Sequence, residues 1–144
     1  MKLISCILYV LLLSLSGFCQ KVANYSTGRP GTKDYEEFSF WVRGNKRSDV
    51  TYTFGEKWQQ ITVSYVGKDV LNGEQCFKVR FPNQYELYIV PRRQELKIAD
   101  KAGKYIKYYA WKYEGPVNGV GTFCQPCADN GQEAMQLLKA YYLK

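Results

Sequence analysis

Residues 58–66 read Trp58-Gln-Gln-Ile-Thr-Val-Ser-Tyr-Val66, and residues 75–81 read Gln75-Cys-Phe-Lys-Val-Arg-Phe81. In the first stretch Ile61, Val63 and Tyr65 alternate with polar neighbours; in the second Phe77, Val79 and Phe81 do the same. A period of two marks a strand that buries one face. Between the two lies Asn72-Gly73, the residue pair that most readily takes positive φ in a tight hairpin. The stretch is therefore an antiparallel hairpin, with Cys76 on the opposite side from Phe77 and Val79.

The same pattern extends in both directions. Upstream, Glu37 to Val42 (Glu-Phe-Ser-Phe-Trp-Val) and Val50 to Phe54 read as strands. Downstream come Tyr85 to Val90, ended by Pro91, then Glu95 to Ala99 and Lys104 to Tyr113, the last two joined by the turn Asp100-Lys-Ala-Gly103. Connections this short fit antiparallel neighbours, because a parallel crossover needs about a dozen residues. About seven short strands predict a mainly β fold, an antiparallel meander curled into a small barrel or folded as a half-sandwich. Past the glycine-rich loop Gly115 to Gly121, Asn130-Gly-Gln-Glu133 matches a helix N-cap with its Glu three residues on. Ala134, Leu137, Leu138 and Tyr141 then share a face at helical spacing. They predict a C-terminal helix over about 131–143, packed on the sheet or plugging one end of a barrel.

The first nineteen residues have a different character. Lys2 precedes an apolar run from Leu3 to Leu15, and Gly17 and Cys19 place small residues at −3 and −1 of a cleavage point before Gln20. The run is shorter than the roughly 20 residues a membrane span needs, so residues 1–19 read as an export signal. Cys19 also suits lipid attachment, but the residue before it is Phe18 where a lipobox carries a small residue; a secreted or periplasmic protein is the favoured reading over an anchored one. No transmembrane segment is expected once the leader is removed. Residues 20–33, rich in Ser, Thr, Gly and Pro, read as a flexible lead-in to a single domain over 34–144. Asn24-Tyr25-Ser26 matches the N-glycosylation pattern.

Composition narrows the chemistry. The chain has no histidine. That excludes Ser-His and Cys-His nucleophilic catalysis and histidine-based zinc sites. The formal charge of +7 falls by one with Lys2 and suggests an anionic partner, although export argues against nucleic acid. Thirteen Tyr, seven Phe and three Trp point to a packed β domain or an aromatic binding face.

Phe123-Cys124-Gln125-Pro126-Cys127 is the sharpest motif. It resembles the active-site motif of thioredoxin-like proteins, which also read aromatic-Cys-x-Pro-Cys before a helix. That resemblance implies thiol–disulfide exchange at Cys124 and Cys127. It is confined to the motif and the helix after it, because seventeen residues follow Cys127 and a thioredoxin fold needs a further β-β-α unit. Without the leader the cysteines are Cys76, Cys124 and Cys127, an odd number. A structural bond from Cys76 to Cys124 or Cys127 would close a loop of roughly fifty residues, worth about 4 kcal/mol in the loop-entropy picture. A thiolate zinc site using Cys76, Cys124, Cys127 and Asp129 is a weaker reading, since such sites need two Cys-x-x-Cys pairs. No metal or other cofactor is therefore expected.

On the strand from Lys104, Tyr105, Lys107, Tyr109, Trp111 and Tyr113 share one face. Such a row is either the core side of the sheet or a ligand face on which sugar rings or apolar groups stack. Asp34, Glu36 and Glu37 cluster near the first predicted strand, but adjacent Glu36 and Glu37 on a strand point to opposite faces and cannot share a substrate. These features together predict an exported, non-enzymatic binding protein whose partner is a protein, an envelope glycan or an amphiphile. The alternative is a redox protein using Cys124 and Cys127.

Overall fold

The computed structural model describes residues 20–112 and 127–144. The leader with Cys19, Tyr113, the loop at 115–121 and Cys124 lie outside the described residues. Eight strands follow one another: β1 (Gln20–Thr27), β2 (Glu36–Arg43), β3 (Lys46–Phe54), β4 (Gln59–Leu71), β5 (Glu74–Arg80), β6 (Glu86–Arg92), β7 (Glu95–Ala99) and β8 (Ile106–Trp111). A helix, α1 (Gly131–Tyr141), comes last. Each strand pairs antiparallel with the next, and β8 returns to pair with β1, so the meander closes into a barrel. The mainly β antiparallel fold with one C-terminal helix follows the pattern, and the barrel is realised rather than the half-sandwich.

The differences are local and have physical causes. Gln20–Thr27, expected as part of a lead-in, is β1 and pairs along its whole length with β2. Its alternation is obscured because Ala23 is small and the outward positions include Val22, which is buried together with Asn24. Buried, strand-bound Asn24 is no accessible glycosylation acceptor. Strand β6 runs on through Pro91, whose missing N–H breaks no β5–β6 rung because that ladder ends at Ile89. Strand β4 continues to Leu71 past a bulge at Val66, and β3 places Ser48 and Asp49 opposite Trp41. Such bulges sharpen the bend a small barrel needs.

Alternation along the strands becomes inside and outside. Tyr25, Phe38, Phe40, Phe77 and Tyr109 are fully buried in the interior. Phe40 meets Phe77 edge-on at 5.6 Å and Tyr25 at 6.3 Å; Phe38 meets Tyr109 at 5.5 Å. The turns at 44–45, 72–73 and 93–94 lie at one end. Asn72 and Gly73 both take positive φ, as their pair predicts. The loops at 28–35, 55–58, 81–85 and 100–105 lie at the other. In the first of these Gly28 has φ +75°, and a Cβ there would stand 2.2 Å from the Asp34 carbonyl oxygen. No other residue fits.

Helix α1 closes the first end. Asn130 caps it by accepting from the Glu133 backbone N–H at 2.8 Å, and Glu133 reaches back to the Asp129 N–H at 2.8 Å. Ala134, Met135, Leu137 and Leu138 are buried. The deepest insertion is Tyr142, just past the helix, rather than the expected Tyr141. Its ring enters the barrel against Phe40 and Phe77 at 5.5 and 5.3 Å, and its hydroxyl donates to the Trp41 carbonyl at 2.7 Å. Arg47 stacks 3.6 Å from the Tyr65 ring and donates to the Tyr141 carbonyl at 3.0 Å.

Candidate functional site

At the end away from α1, the barrel interior turns polar. Glu36, the first residue of β2, has the inward parity of Phe38 and Phe40. Its carboxylate faces Tyr105, Lys107 and Tyr109 of the predicted row. Lys107 forms an ion pair with Oε1 and the Tyr109 hydroxyl donates to Oε2. The Tyr105 hydroxyl donates to Oε2 at 3.1 Å and lies 3.1 Å from the Tyr109 hydroxyl. Burial works against ionisation of Glu36, but the Lys107 ammonium and the Tyr109 and Tyr105 hydroxyls outweigh it and hold the carboxyl below its ordinary 4.5. Burial raises the Tyr109, Tyr105 and Tyr52 hydroxyls, and the Glu36 charge raises them further, so all stay protonated donors.

Aromatic rings frame this cluster. Tyr52 stacks with Phe54 at 5.3 Å and meets Phe81 at the same separation; Phe81 in turn meets Tyr85 at 6.4 Å. The surrounding loops are held by their own bonds. Phe81 N–H donates to the Tyr85 carbonyl at 2.8 Å, the Asp100 N–H donates to the Tyr105 carbonyl at 3.1 Å, and the Tyr105 N–H donates to the Asp100 carboxylate Oδ1 at 3.2 Å. Depth grades the site. The Glu36 side chain is 15% exposed, that of Lys107 is 40% exposed, and Tyr85 is 45% exposed. The interior polar group thus lies beneath a cation and a rim of rings.

The predicted aromatic row is therefore one inward face with three environments. Tyr105 and Lys107 reach the mouth, fully buried Tyr109 belongs to the core, and Trp111 packs toward α1, within 3.7 Å of where a Gly131 side chain would begin. Glu36 is the member of this cluster that sequence reading sets aside, because the first predicted strand starts one residue late, at Glu37. Glu37 itself lies on the outer face, buried. It accepts from the Tyr35 hydroxyl at 2.8 Å and pairs with Lys112 at 3.4 Å, and burial pushes the Tyr35 phenol up to about 12. The two neighbouring carboxylates do serve opposite faces. Asp34 stays in the loop, bonded to Thr32.

The cysteines separate. Cys76 is free and buried on the outer face of β5, against Leu71, Tyr88 and Val90, and burial pushes its thiol up to about 11. The expected bond from Cys76 to the loop cysteines is not formed. Cys127 instead lies beside β1, across the barrel from β5, bridged to Val22 and accepting a 3.8 Å contact from the Asn24 amide. Cys127 is disulfide-bonded, and its partner cysteine lies outside the described residues. It stands three residues before the Asn130 cap. Among the described residues, no three His, Cys, Asp or Glu side chains stand together as a metal site. No described helix is long and apolar enough to cross a membrane.

Comparison with protein-family models, curated proteins and solved structures finds no match to this chain.

Proposed function

We propose that the protein is an exported, non-enzymatic binding protein that holds a small ligand at the end of the barrel away from α1. The observation that carries this reading is the Glu36–Lys107–Tyr105–Tyr109 cluster beneath exposed rings. A half-buried polar network beside aromatic rings matches the composition of small-molecule sites: apolar walls give affinity and a few fixed polar groups give orientation. Small eight-stranded barrels hold ligands in their mouths on other chains too, an argument from architecture alone. Lys107 and Tyr105 would meet the ligand's oxygen atoms, while Phe81 and Tyr85 would meet its apolar face. Export rests on the leader and agrees with a disulfide at Cys127.

The test is chemical-shift mapping of the protein lacking residues 1–19 against glycan fragments and short amphiphiles. Shifts gathered on residues 81–85 and 105–107 are the expected result. Shifts gathered elsewhere, or none with any probe, would refute the reading.

The disulfide at Cys127 favours a second reading, thiol–disulfide exchange. Its reduction potential separates the two. A value below about −300 mV marks a structural bond, and one near −200 mV marks an exchanging one.

A further inference from the structure

We infer that the mouth selects a neutral, polyhydroxylated ring over an anionic one; this refinement rests on the ligand-binding reading above. The carboxylate of Glu36 accepts from Lys107 on one oxygen and from two tyrosine hydroxyls on the other. Its lone pairs are therefore largely committed within the protein, and it offers little to a donor or cation on a ligand. Lys107 is the group that still faces solvent, with three ammonium donors of which Glu36 takes one.

A ligand oxygen placed on Lys107 feels both members of the pair. If that oxygen belongs to a carboxylate, the Glu36 charge cancels much of the attraction from Lys107, and the carboxylate still loses hydration at a half-buried site. A neutral hydroxyl loses far less hydration and retains a charge-assisted bond from the ammonium. The Tyr105 hydroxyl gives its proton to Glu36 and keeps an oxygen that can accept, and the Lys107 ammonium lies 5.6 Å from its ring. The outer wall supplies what a saturated sugar ring needs on its other side. Tyr85 is half exposed and tilted at 51° to Phe81, so a flat C–H face can rest on aromatic carbon while the hydroxyls turn inward. A site built for an anion would leave the lysine unpaired, and this one neutralises it from within.

The experiment is calorimetric titration with cellotetraose and with its C6-oxidised uronate form, followed by the same pair on Glu36→Gln. Decanol and decanoate serve as amphiphile probes in parallel shift mapping. The expected result is binding of cellotetraose at least tenfold tighter than of the uronate, with that ratio shrinking at least threefold in Glu36→Gln. Uronate binding equal to or tighter than cellotetraose would overturn the inference while the mouth remained a ligand site. Shifts at the mouth from the amphiphiles alone would do the same. No shift at the mouth from any of the four probes would overturn the ligand-binding reading itself. Should Glu36→Gln fail to fold, the ratio on the unaltered protein decides.

Discussion

Tyr25 is the residue whose interior position is least satisfied. Its hydroxyl is buried with no hydrogen-bond partner among the described residues, while its ring packs against Phe40. An unpaired buried hydroxyl costs about 1–3 kcal/mol, so Tyr25→Phe should raise stability by about 1 kcal/mol in urea unfolding. Tyr142 presents the opposite case. Its hydroxyl is paired to Trp41 and its ring is enclosed by Phe40, Phe77 and Tyr65, so Tyr142→Ala should cost about 3–5 kcal/mol in the same assay. Glu36 adds a pH signature. Its carboxyl titrates lower in the fold than in the unfolded chain. It therefore contributes stability above about pH 4.5, which is lost as the pH falls through the folded-state value. Thermal midpoints of Glu36→Gln should fall less than those of the unaltered protein between about pH 5 and pH 3. The core positions Phe38, Phe40, Phe77 and Val79 are legible in the sequence because they sit at regular two-residue spacing. Glu36 is not, because a charged residue at a strand's first position looks the same whether it opens a loop or enters a barrel. Only the partners on β8, some seventy residues later, show which it does.

At the scale of elements, α1 is the plainest reading of the sequence. The Asn130 and Glu133 pattern that predicts its start is present as a reciprocal cap. Replacing Asn130 by Ala should cost about 1 kcal/mol, measured as a shift in the urea midpoint. Strand β1 is the element the sequence hides. Its apolar residues are few, and its order comes from neighbours on both sides: β2 along its length, β8 at Tyr25 and Ser26, and the chain at Cys127 and Ala128 beside Val22. Tertiary pairing of this kind overrides a weak local pattern. Cys76 shows another limit, since odd-cysteine arithmetic cannot tell that its strand lies across the barrel from Cys127. Its buried thiol should resist alkylation at pH 8 in the native protein and react fully in urea, read by intact mass.

For the molecule as a whole, the two ends of the barrel divide labour. One is filled by α1 and Tyr142, with rings in mutual contact and side-chain bonds from Tyr65 and Arg47 to the Tyr142 and Tyr141 carbonyls holding the plug. The other keeps a charged pair and exposed rings. The meander predicts this closure only up to its alternatives, because a barrel and a half-sandwich share the same local alternation; the β1–β8 rungs decide between them. That seam is short, joining Tyr25 to Trp111 and Ser26 to Ala110. It has a consequence in time. Every other strand pair in the barrel joins neighbours in the chain, whereas the seam joins the first strand to the eighth and must wait until both exist. Loop-closure entropy for so distant a pair comes before any contact repays it. A chain synthesised from its N-terminus therefore carries β1 with one edge open until residue 111 has emerged. Assembly is gated by the arrival of its last strand, and refolding should slow when Trp111 is replaced by Ala.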